Sequence, residues 1–307
     1  MPTPRTFLLC LTVALPTALA GLAFPPAAFA QSGERDHLLV SADWLAENIG
    51  DPGLVLLHVG AKEDYLQEHI PGAHYVERDQ MSAPGSHEAG SLVLELPEPE
   101  AFQAALRSYG VAADSRIVVY WGSESVTPTA RVVFTLDWAG QGDRTVLLDG
   151  GLGAWKQAGG AVTADLPAEG NGTVQIDPRS GLVVDAAWVQ EHMDGTGYAL
   201  VDGRAPVFFD GLREDQGKSG HLPGAGNLPW TELVDESLHL KGADELRALF
   251  SAAGVEPGDT VVGYCHIGQF ATLVLFAART LGHEVVLYDG AFQDWAGRDL
   301  PVEGAGN

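Results

Sequence analysis

The sequence predicts an α/β protein made of two tandem copies of one unit, each a mainly parallel sheet flanked by helices. The first observation is a duplication: VSADWLAENI, which begins at Val40, returns 144 positions later as VDAAWVQEHM, which begins at Val184. The second is an alternation of short apolar segments with longer helix-like ones in each copy. Self-similarity at a long period indicates a repeated structural unit, and the alternation indicates βαβ connections.

Other segments extend the duplication along the chain. The strand-like RIVVY at 116–120 returns as TVVGY at 260–264 with the same offset of 144. HIPGA at 69–73 returns as HLPGA at 221–225, eight positions later than that offset predicts. The second copy has therefore gained eight residues around 208–220, and an insertion confined to one segment is typical of a surface loop.

Within the second copy, the pattern separates strands from helices. Apolar segments at 198–201, 260–264 and 284–288 have the length of buried strands, whereas 243–253 and 270–281 have helical length and spacing. Strands that alternate with helices in this way predict a parallel sheet with both faces covered.

Composition divides the chain into four segments. Residues 1–30 contain a basic start, an apolar run and a final Ala-Phe-Ala, which predicts a secretory signal peptide and an exported protein, periplasmic or secreted. Prolines interrupt the run and disfavour a membrane anchor. The stretch 164–178 is rich in Gly, Pro and Asp and predicts a linker, which places the domains at 36–163 and 179–307.

The charge balance disfavours one class of partner. With 41 Asp and Glu against 17 Lys and Arg, the formal net charge is −24, and no basic stretch is present. Nucleic acid is therefore not expected as a partner, because its binding depends on neutralising phosphates. After signal cleavage, no membrane partner is expected either. An anionic substrate would need local positive potential from backbone N–H groups or single Arg residues.

The two cysteines have different expected fates. Cys10 lies in the predicted signal peptide, so Cys265 is the one thiol of the mature chain and an intramolecular disulfide is impossible. An unpaired thiol in an exported protein is either a buried structural residue or a reactive group. Composition leaves these two alternatives open.

The residues after Cys265 favour the reactive alternative. Cys265 stands between a buried strand and a helix, at the edge where open α/β sheets bind ligands. If the loop turns around its own first residue, with Gly268 at the sharp turn, successive N–H groups point at the sulfur. Such a cradle is expected to lower the pKa of Cys265 below about 8.5. The residues expected to bind the anion are His266, Ile267, Gly268, Gln269, Phe270 and Ala271.

Four motifs in order resemble those of one family. They are DGR at 202–204, GHLPGA at 220–225, the Cys265 loop and DGAFQDW at 289–295. With the duplication, these motifs make the chain resemble the tandem-domain rhodaneses, a family of thiosulfate and 3-mercaptopyruvate sulfurtransferases, over residues 38–303. The resemblance implies two rhodanese-like domains, of which the C-terminal one is catalytic and the N-terminal one inactive.

The first copy lacks the polar groups of the second. Trp121 stands at the position that corresponds to Cys265, so no thiolate can form there. His58 and Gly60 stand where the second copy has an Asp and an Arg. These differences agree with an inactive N-terminal domain.

The resemblance also implies a reaction that needs no cofactor and no metal. The Cys265 thiolate takes the outer sulfur of a small-molecule donor, and the persulfide passes it to a thiophilic acceptor such as cyanide, a small thiol or a protein thiol. Arg204 either binds the donor anion or orders the pocket through Asp202, which supports it. His266 either adds positive charge near the donor or is an inert residue of an exposed loop.

The donor is less narrowly defined by the sequence. The loop has neither the basic residues typical of family members that use thiosulfate nor the Gly and Ser residues typical of those that use 3-mercaptopyruvate. We expect thiosulfate, because the cradle can meet its charge. The alternatives are 3-mercaptopyruvate and a non-catalytic persulfide carrier. A Cys-dependent phosphatase is disfavoured, since it needs an Arg six positions after the Cys, where Ala271 stands.

Overall fold

The computed structural model describes residues 35, 37–83, 91–123, 126–193 and 195–304, together with Met1. The helices and strands of the first half are β1 (Leu39–Val40), α1 (Ala42–Asn48), β2 (Leu54–Val59), α2 (Lys62–Gln67), β3 (His74–Tyr75), α3 (Pro99–Ser108), β4 (Arg116–Trp121), α4 (Val126–Leu136), β5 (Thr145–Leu148) and α5 (Gly151–Gln157). Those of the second half are β6 (Val183–Val184), α6 (Ala186–His192), β7 (Tyr198–Asp202), α7 (Pro206–Phe209), β8 (Gly226–Asn227), α8 (Ala243–Ala252), β9 (Thr260–Tyr264), α9 (Gln269–Thr280), β10 (Val285–Tyr288) and α10 (Ala291–Gly297).

Each half forms one five-stranded sheet in which all the pairings are parallel. The strand orders are β1-β5-β4-β2-β3 and β6-β10-β9-β7-β8, so the second sheet repeats the first. Helices connect the strands, as parallel pairing requires. The prediction of two parallel sheets flanked by helices is confirmed.

The elements predicted for the second copy lie within one residue of their observed bounds. The sequence does not predict β1, β3, β6 and β8, because a strand of two residues has no periodic pattern. The duplicated segment begins a helix in the same way in both halves. Ser41 accepts a hydrogen bond from the Trp44 N–H at 3.1 Å, and Asp185 accepts one from the Trp188 N–H at 2.9 Å. Both side chains act as helix N-caps.

The two halves pack against each other through α4 and α9. Buried apolar side chains from both helices belong to one hydrophobic cluster, which includes Val132, Phe134, Val274 and Leu275. Since each helix directly follows the central strand of its sheet, this contact brings the carboxyl edges of β4 and β9 towards one interface.

Other expectations concern segments outside these elements. Residues 164–178 contain no helix or strand, and the predicted domain bounds stay a prediction. The predicted signal peptide lies almost entirely outside the described residues. Across the ranges that are described, no helix is both long and apolar enough to cross a membrane.

His58 makes the first half sensitive to acid. Its side chain is fully buried, with Nδ1 3.2 Å from the hydroxyl oxygen of Tyr120. Burial, reinforced by the charge of His69 and opposed by that of Asp64, lowers the pKa of His58 from 6.5 to about 4. The folded state therefore binds a proton at His58 more weakly than the unfolded chain does. The contribution of this difference to the stability of the folded state is complete above pH 6.5 and is lost as the pH falls towards 4.

We expect the His58→Asn variant to lose less stability in acid than the wild type. A tenfold change in proton affinity corresponds to about 1.4 kcal/mol, so the extra fall in the wild-type free energy of unfolding between neutral pH and pH 4 reaches about 3 kcal/mol. Urea unfolding at several pH values measures it. The exposed His37→Asn is the matched control and should follow the wild type. Parallel pH curves for His58→Asn and the wild type would contradict the assignment.

Candidate active site

The carboxyl edge of the second sheet brings polar groups together around the end of β9. Asp202, at the end of β7, pairs in register with Tyr264 on one side and with Asn227 on the other. Cys265 follows Tyr264 directly, so its thiol lies at the same edge. Parallel strands end at a common edge, which is where ligands bind in open α/β sheets.

The loop after Cys265 turns back over its own sulfur. The backbone N–H groups of Ile267, Phe270 and Ala271 donate hydrogen bonds to that sulfur. Gly268 makes the turn with φ of 81°, in the left-handed region that favours glycine, and is the N-cap of α9. The structure thus brings three N–H groups of the loop to one sulfur, in an arrangement suited to an anion.

The predicted fall in the pKa of Cys265 is wrong. The thiol is completely buried, and this burial raises the pKa of Cys265 above its ordinary value of 9.0. The three N–H groups lower the pKa without outweighing burial, and the negative charge of Asp202 raises it further. The loss of hydration destabilises a thiolate more than three neutral hydrogen-bond donors stabilise it. The surroundings of Cys265 therefore disfavour the thiolate relative to an ordinary cysteine.

Arg204 is completely buried and each of its nitrogens already has an acceptor. Nε and Nη2 donate to the Asp202 carboxylate at 2.7–3.1 Å, Nη1 donates to Asp215 at 3.2 Å, and Nη2 also donates to the Gly220 carbonyl at 2.8 Å. Burial alone would lower the pKa of Arg204, but the charge and hydrogen bonds of Asp202 outweigh it and raise the pKa. Of the two roles that the sequence leaves open for Arg204, this geometry supports ordering of the pocket.

Asp215 is a polar group at this site that sequence reasoning misses. Its Oδ2 accepts from Arg204 and lies 2.5 Å from Nδ1 of His266. Burial would raise the pKa of Asp215, but the hydrogen bonds and charges of His266 and Arg204 outweigh it and lower the pKa. Asp215 lies in the eight-residue insertion, which has no counterpart in the first copy. Comparison of the copies therefore carries no signal for it.

Aromatic side chains flank His266. Phe208 meets the imidazole edge to face with 4.7 Å between ring centroids, and Phe270 meets it at 5.8 Å. Trp230 packs beside Phe270 at 5.8 Å, and the Arg213 guanidinium lies over Phe208 at 5.0 Å. The described residues around His266 are thus largely aromatic, and the guanidinium of the exposed Arg213 is engaged with one of these rings.

The first half also contacts the loop. Gln269 donates from Nε2 to the Thr127 hydroxyl at 3.4 Å, and Arg131 donates from Nη1 to the Gly268 carbonyl at 3.4 Å. At the equivalent edge of the first half, Trp121 ends β4 in place of a cysteine. The loop is therefore shaped by both halves although only one carries a thiol. Within the described part of the chain, no group of His, Cys, Asp and Glu side chains could hold a metal ion.

Comparison with known proteins agrees with this arrangement. The rhodanese-like domain model matches residues 41–158 and 185–298, once in each half. The 3-mercaptopyruvate sulfurtransferase of Escherichia coli is 34% identical over 284 residues, covering 86% of this chain and 97% of that protein. A putative thiosulfate sulfurtransferase of Synechococcus elongatus is 29% identical over 316 residues, covering 98% of this chain and 96% of that protein.

A solved structure extends the comparison to three dimensions. The crystal structure of SseA from Escherichia coli, described as a 3-mercaptopyruvate sulfotransferase, is similar with a TM-score of 0.72 and 33% identity, covering 83% of this chain and 98% of that one. Two domain matches, a relative above 30% identity along most of the chain and two matching parallel sheets point the same way. The chain therefore belongs to the rhodanese family and is a sulfurtransferase with two rhodanese-like domains in tandem.

Proposed function

We propose that Cys265 carries the transferred sulfur as a persulfide and that the enzyme turns over by a two-step exchange. The observation that supports this most directly is the set of three N–H groups on the sulfur of a completely buried thiol. Backbone N–H groups that are held in place stabilise an anion, and they do not have to reorganise when the negative charge forms. A cysteine that only fills space needs no such donors.

The first step forms one S–S bond and breaks one bond of the donor. With 3-mercaptopyruvate, the Cys265 sulfur bonds to the donor sulfur, and the electron pair of the broken C–S bond goes to carbon. That carbon takes up the proton that the Cys265 thiol gives up, and pyruvate leaves. In the second step an acceptor thiol or cyanide attacks the outer sulfur of the persulfide, and Cys265 is regenerated.

The surrounding residues have supporting roles in this proposal. The N–H groups of the loop hold the charge of the persulfide. Arg204 joins the end of β7 to the inserted segment through Asp202 and Asp215, and Asp215 in turn holds His266 of the loop. His266, which Asp215 holds through Nδ1, binds the donor beside Cys265.

For the donor we now favour 3-mercaptopyruvate over thiosulfate. Thiosulfate carries two negative charges, whereas 3-mercaptopyruvate carries one carboxylate and an organic chain. The structure commits Arg204 to internal acceptors and surrounds His266 with rings, which suits the less charged donor. The relative at 34% identity is named for 3-mercaptopyruvate, and the one at 29% for thiosulfate.

Steady-state rates with both donors test this choice. We expect kcat/KM for 3-mercaptopyruvate to exceed that for thiosulfate by about tenfold or more, because a site that leaves a buried charge unmet discriminates strongly. The intact mass of the protein is also measured after incubation with each donor in the absence of acceptor. The addition of one sulfur atom should need a lower concentration of 3-mercaptopyruvate than of thiosulfate. The assay uses cyanide and a small thiol as alternative acceptors.

Other outcomes identify the alternatives. A larger kcat/KM with thiosulfate would restore that donor and contradict our choice. A persulfide that forms but reaches neither cyanide nor a thiol catalytically would identify a sulfur carrier that serves a protein partner, and would contradict turnover as an enzyme.

A further inference from the structure

Arg131 is a buried cation that the first half places against the Cys265 loop. It is the only charged residue of α4, and its side chain is 3% exposed. Nη1 donates to Asp289 at 2.6 Å and to the Gly268 carbonyl at 3.4 Å, and Nη2 donates to the Leu94 carbonyl at 2.6 Å. Among the described residues, Nε has no hydrogen-bond partner. A buried ion pair adds little net stability, so its position needs another explanation.

Both acceptors of Nη1 belong to segments that fix the loop. Gly268 is the left-handed residue of the turn, and a Cβ there would lie 3.1 Å from Arg131 and from Asp289. Asp289 begins the turn into α10, whose Phe292 N–H donates to the Cys265 carbonyl at 2.9 Å. The guanidinium therefore joins the turn of the loop to the segment that holds its first residue.

We infer that Arg131 is a positioning residue for sulfur transfer: the N-terminal half supplies the cation that fixes the Cys265 loop through Gly268 and Asp289. The inference rests on the proposed function for what the loop does, but the geometry of the loop is testable without turnover. It gives the half that lacks a thiol a defined part in the reaction.

Charge is the feature that separates positioning by this pair from simple packing. Asp289 has a side chain that is only 8% exposed, so loss of the guanidinium leaves a buried carboxylate without a counter-charge next to the loop, where Oδ2 still accepts from the Leu96 N–H at 3.0 Å. Glu95 lies near both Asp289 and Asp294. Asp202 acts on Cys265, and the other charged or titratable groups around the loop are Arg204, Asp215 and His266. Apart from Asp289, all of these groups keep their side chains in the variants below. An unpaired carboxylate disfavours an anionic sulfur, whereas an unpaired guanidinium favours it.

The test is the pH dependence of Cys265 alkylation by iodoacetamide, in the full chain carrying Cys10→Ser. We expect the midpoint of the rate to move to higher pH in Arg131→Met and to lower pH in Asp289→Asn. Persulfide formation should slow by about tenfold or more in Arg131→Met, as expected when a reacting group is misplaced. In Arg131→Lys, which keeps the charge, the alkylation midpoint should stay near that of the parent protein, the full chain that carries only Cys10→Ser. A purely structural pair would not move the two midpoints in opposite directions.

Arg279→Met is the matched control. Arg279 also joins the two halves, with Nη1 2.7 Å from the buried carboxylate of Asp137, but it lies in the last turn of α9, away from the loop. We expect its alkylation midpoint to match the parent and its rate of sulfur transfer to stay within about twofold. Equal losses in Arg131→Met and Arg279→Met would show a general weakening of the interface and overturn the inference.

The remaining outcomes are also decisive. Unchanged alkylation and transfer in Arg131→Met overturn the inference. If Arg131→Met does not fold, Asp289→Asn still tests the inference. An alkylation midpoint of Asp289→Asn that is unchanged or higher than that of the parent protein would contradict it. If the parent protein transfers no sulfur at all, the proposed function fails, while the alkylation profiles still show whether Arg131 fixes the loop.

Discussion

The Cys265→Ser variant is expected to fold normally and to lose sulfur transfer by at least about 10⁴-fold, the scale of loss when a catalytic nucleophile is removed. Serine fits the same cradle and accepts hydrogen bonds from the same N–H groups of the loop. Its hydroxyl, however, does not ionise near neutral pH and cannot form a persulfide. Initial rates with 3-mercaptopyruvate and cyanide, together with intact mass after donor alone, measure both consequences.

The second cysteine provides the matched control. The sequence holds only Cys10 and Cys265, so Cys10→Ser removes the other thiol without touching the loop. That variant should keep the wild-type rate and still gain one sulfur atom. Transfer that survives Cys265→Ser, or that disappears with Cys10→Ser, would show that the sulfur travels by another route.

Comparison of the two copies predicts most of the fold and the place of the thiol. Because a duplicated strand must pair in the same way in both halves, RIVVY and TVVGY predict the two central strands β4 and β9. The position of Cys265 opposite Trp121 then identifies which half is equipped for chemistry. These predictions depend on the order of apolar segments, which a sequence states directly.

The contacts around the loop depend on what the sequence does not state. Asp215 belongs to an insertion without a counterpart, and Arg131 is one charged residue within an otherwise uncharged helix of the other half. Only the packing of α4 on α9 shows that Arg131 reaches the loop. A single cation within an otherwise uncharged helix is the available signal, but the sequence does not identify the partner of that cation.

The error about the pKa of Cys265 has a related cause. The loop length and Gly268 predict from the sequence that several N–H groups surround the sulfur. The burial of the sulfur depends instead on the packing of the whole domain. Burial proves the stronger of the two influences and raises the pKa. The three N–H groups therefore stabilise the Cys265 thiolate relative to a thiolate in a buried site without donors, but not relative to a thiolate in water.

The Arg204→Met variant is expected to lower the free energy of unfolding by about 3–5 kcal/mol, because it leaves the Asp202 carboxylate buried without its partner. Both side chains are completely buried. The guanidinium also lies 3.9 Å from the ring of Phe292, whose N–H donates to the Cys265 carbonyl. Sulfur transfer should therefore fall together with stability. Urea unfolding and initial rates measure the two effects separately.

A double variant separates the fold from the site. The first half folds with His58 and Gly60 at the positions of Asp202 and Arg204, so the architecture does not require this ion pair. Removing both charges in Asp202→Asn/Arg204→Met should therefore recover most of the lost stability without restoring sulfur transfer.

The surface pair of Arg247 with Asp244 supplies the control for the loss of an arginine. Arg247→Met should change stability by no more than about 0.5 kcal/mol, since an exposed ion pair contributes little. Wild-type stability in Arg204→Met would show that Asp202 tolerates isolation. Recovered transfer in the double variant would show that the pair has no part in the site. The expected combination, stability regained and transfer still lost, would mean that the half with the thiol keeps a buried ion pair for its chemistry and at a cost to its fold.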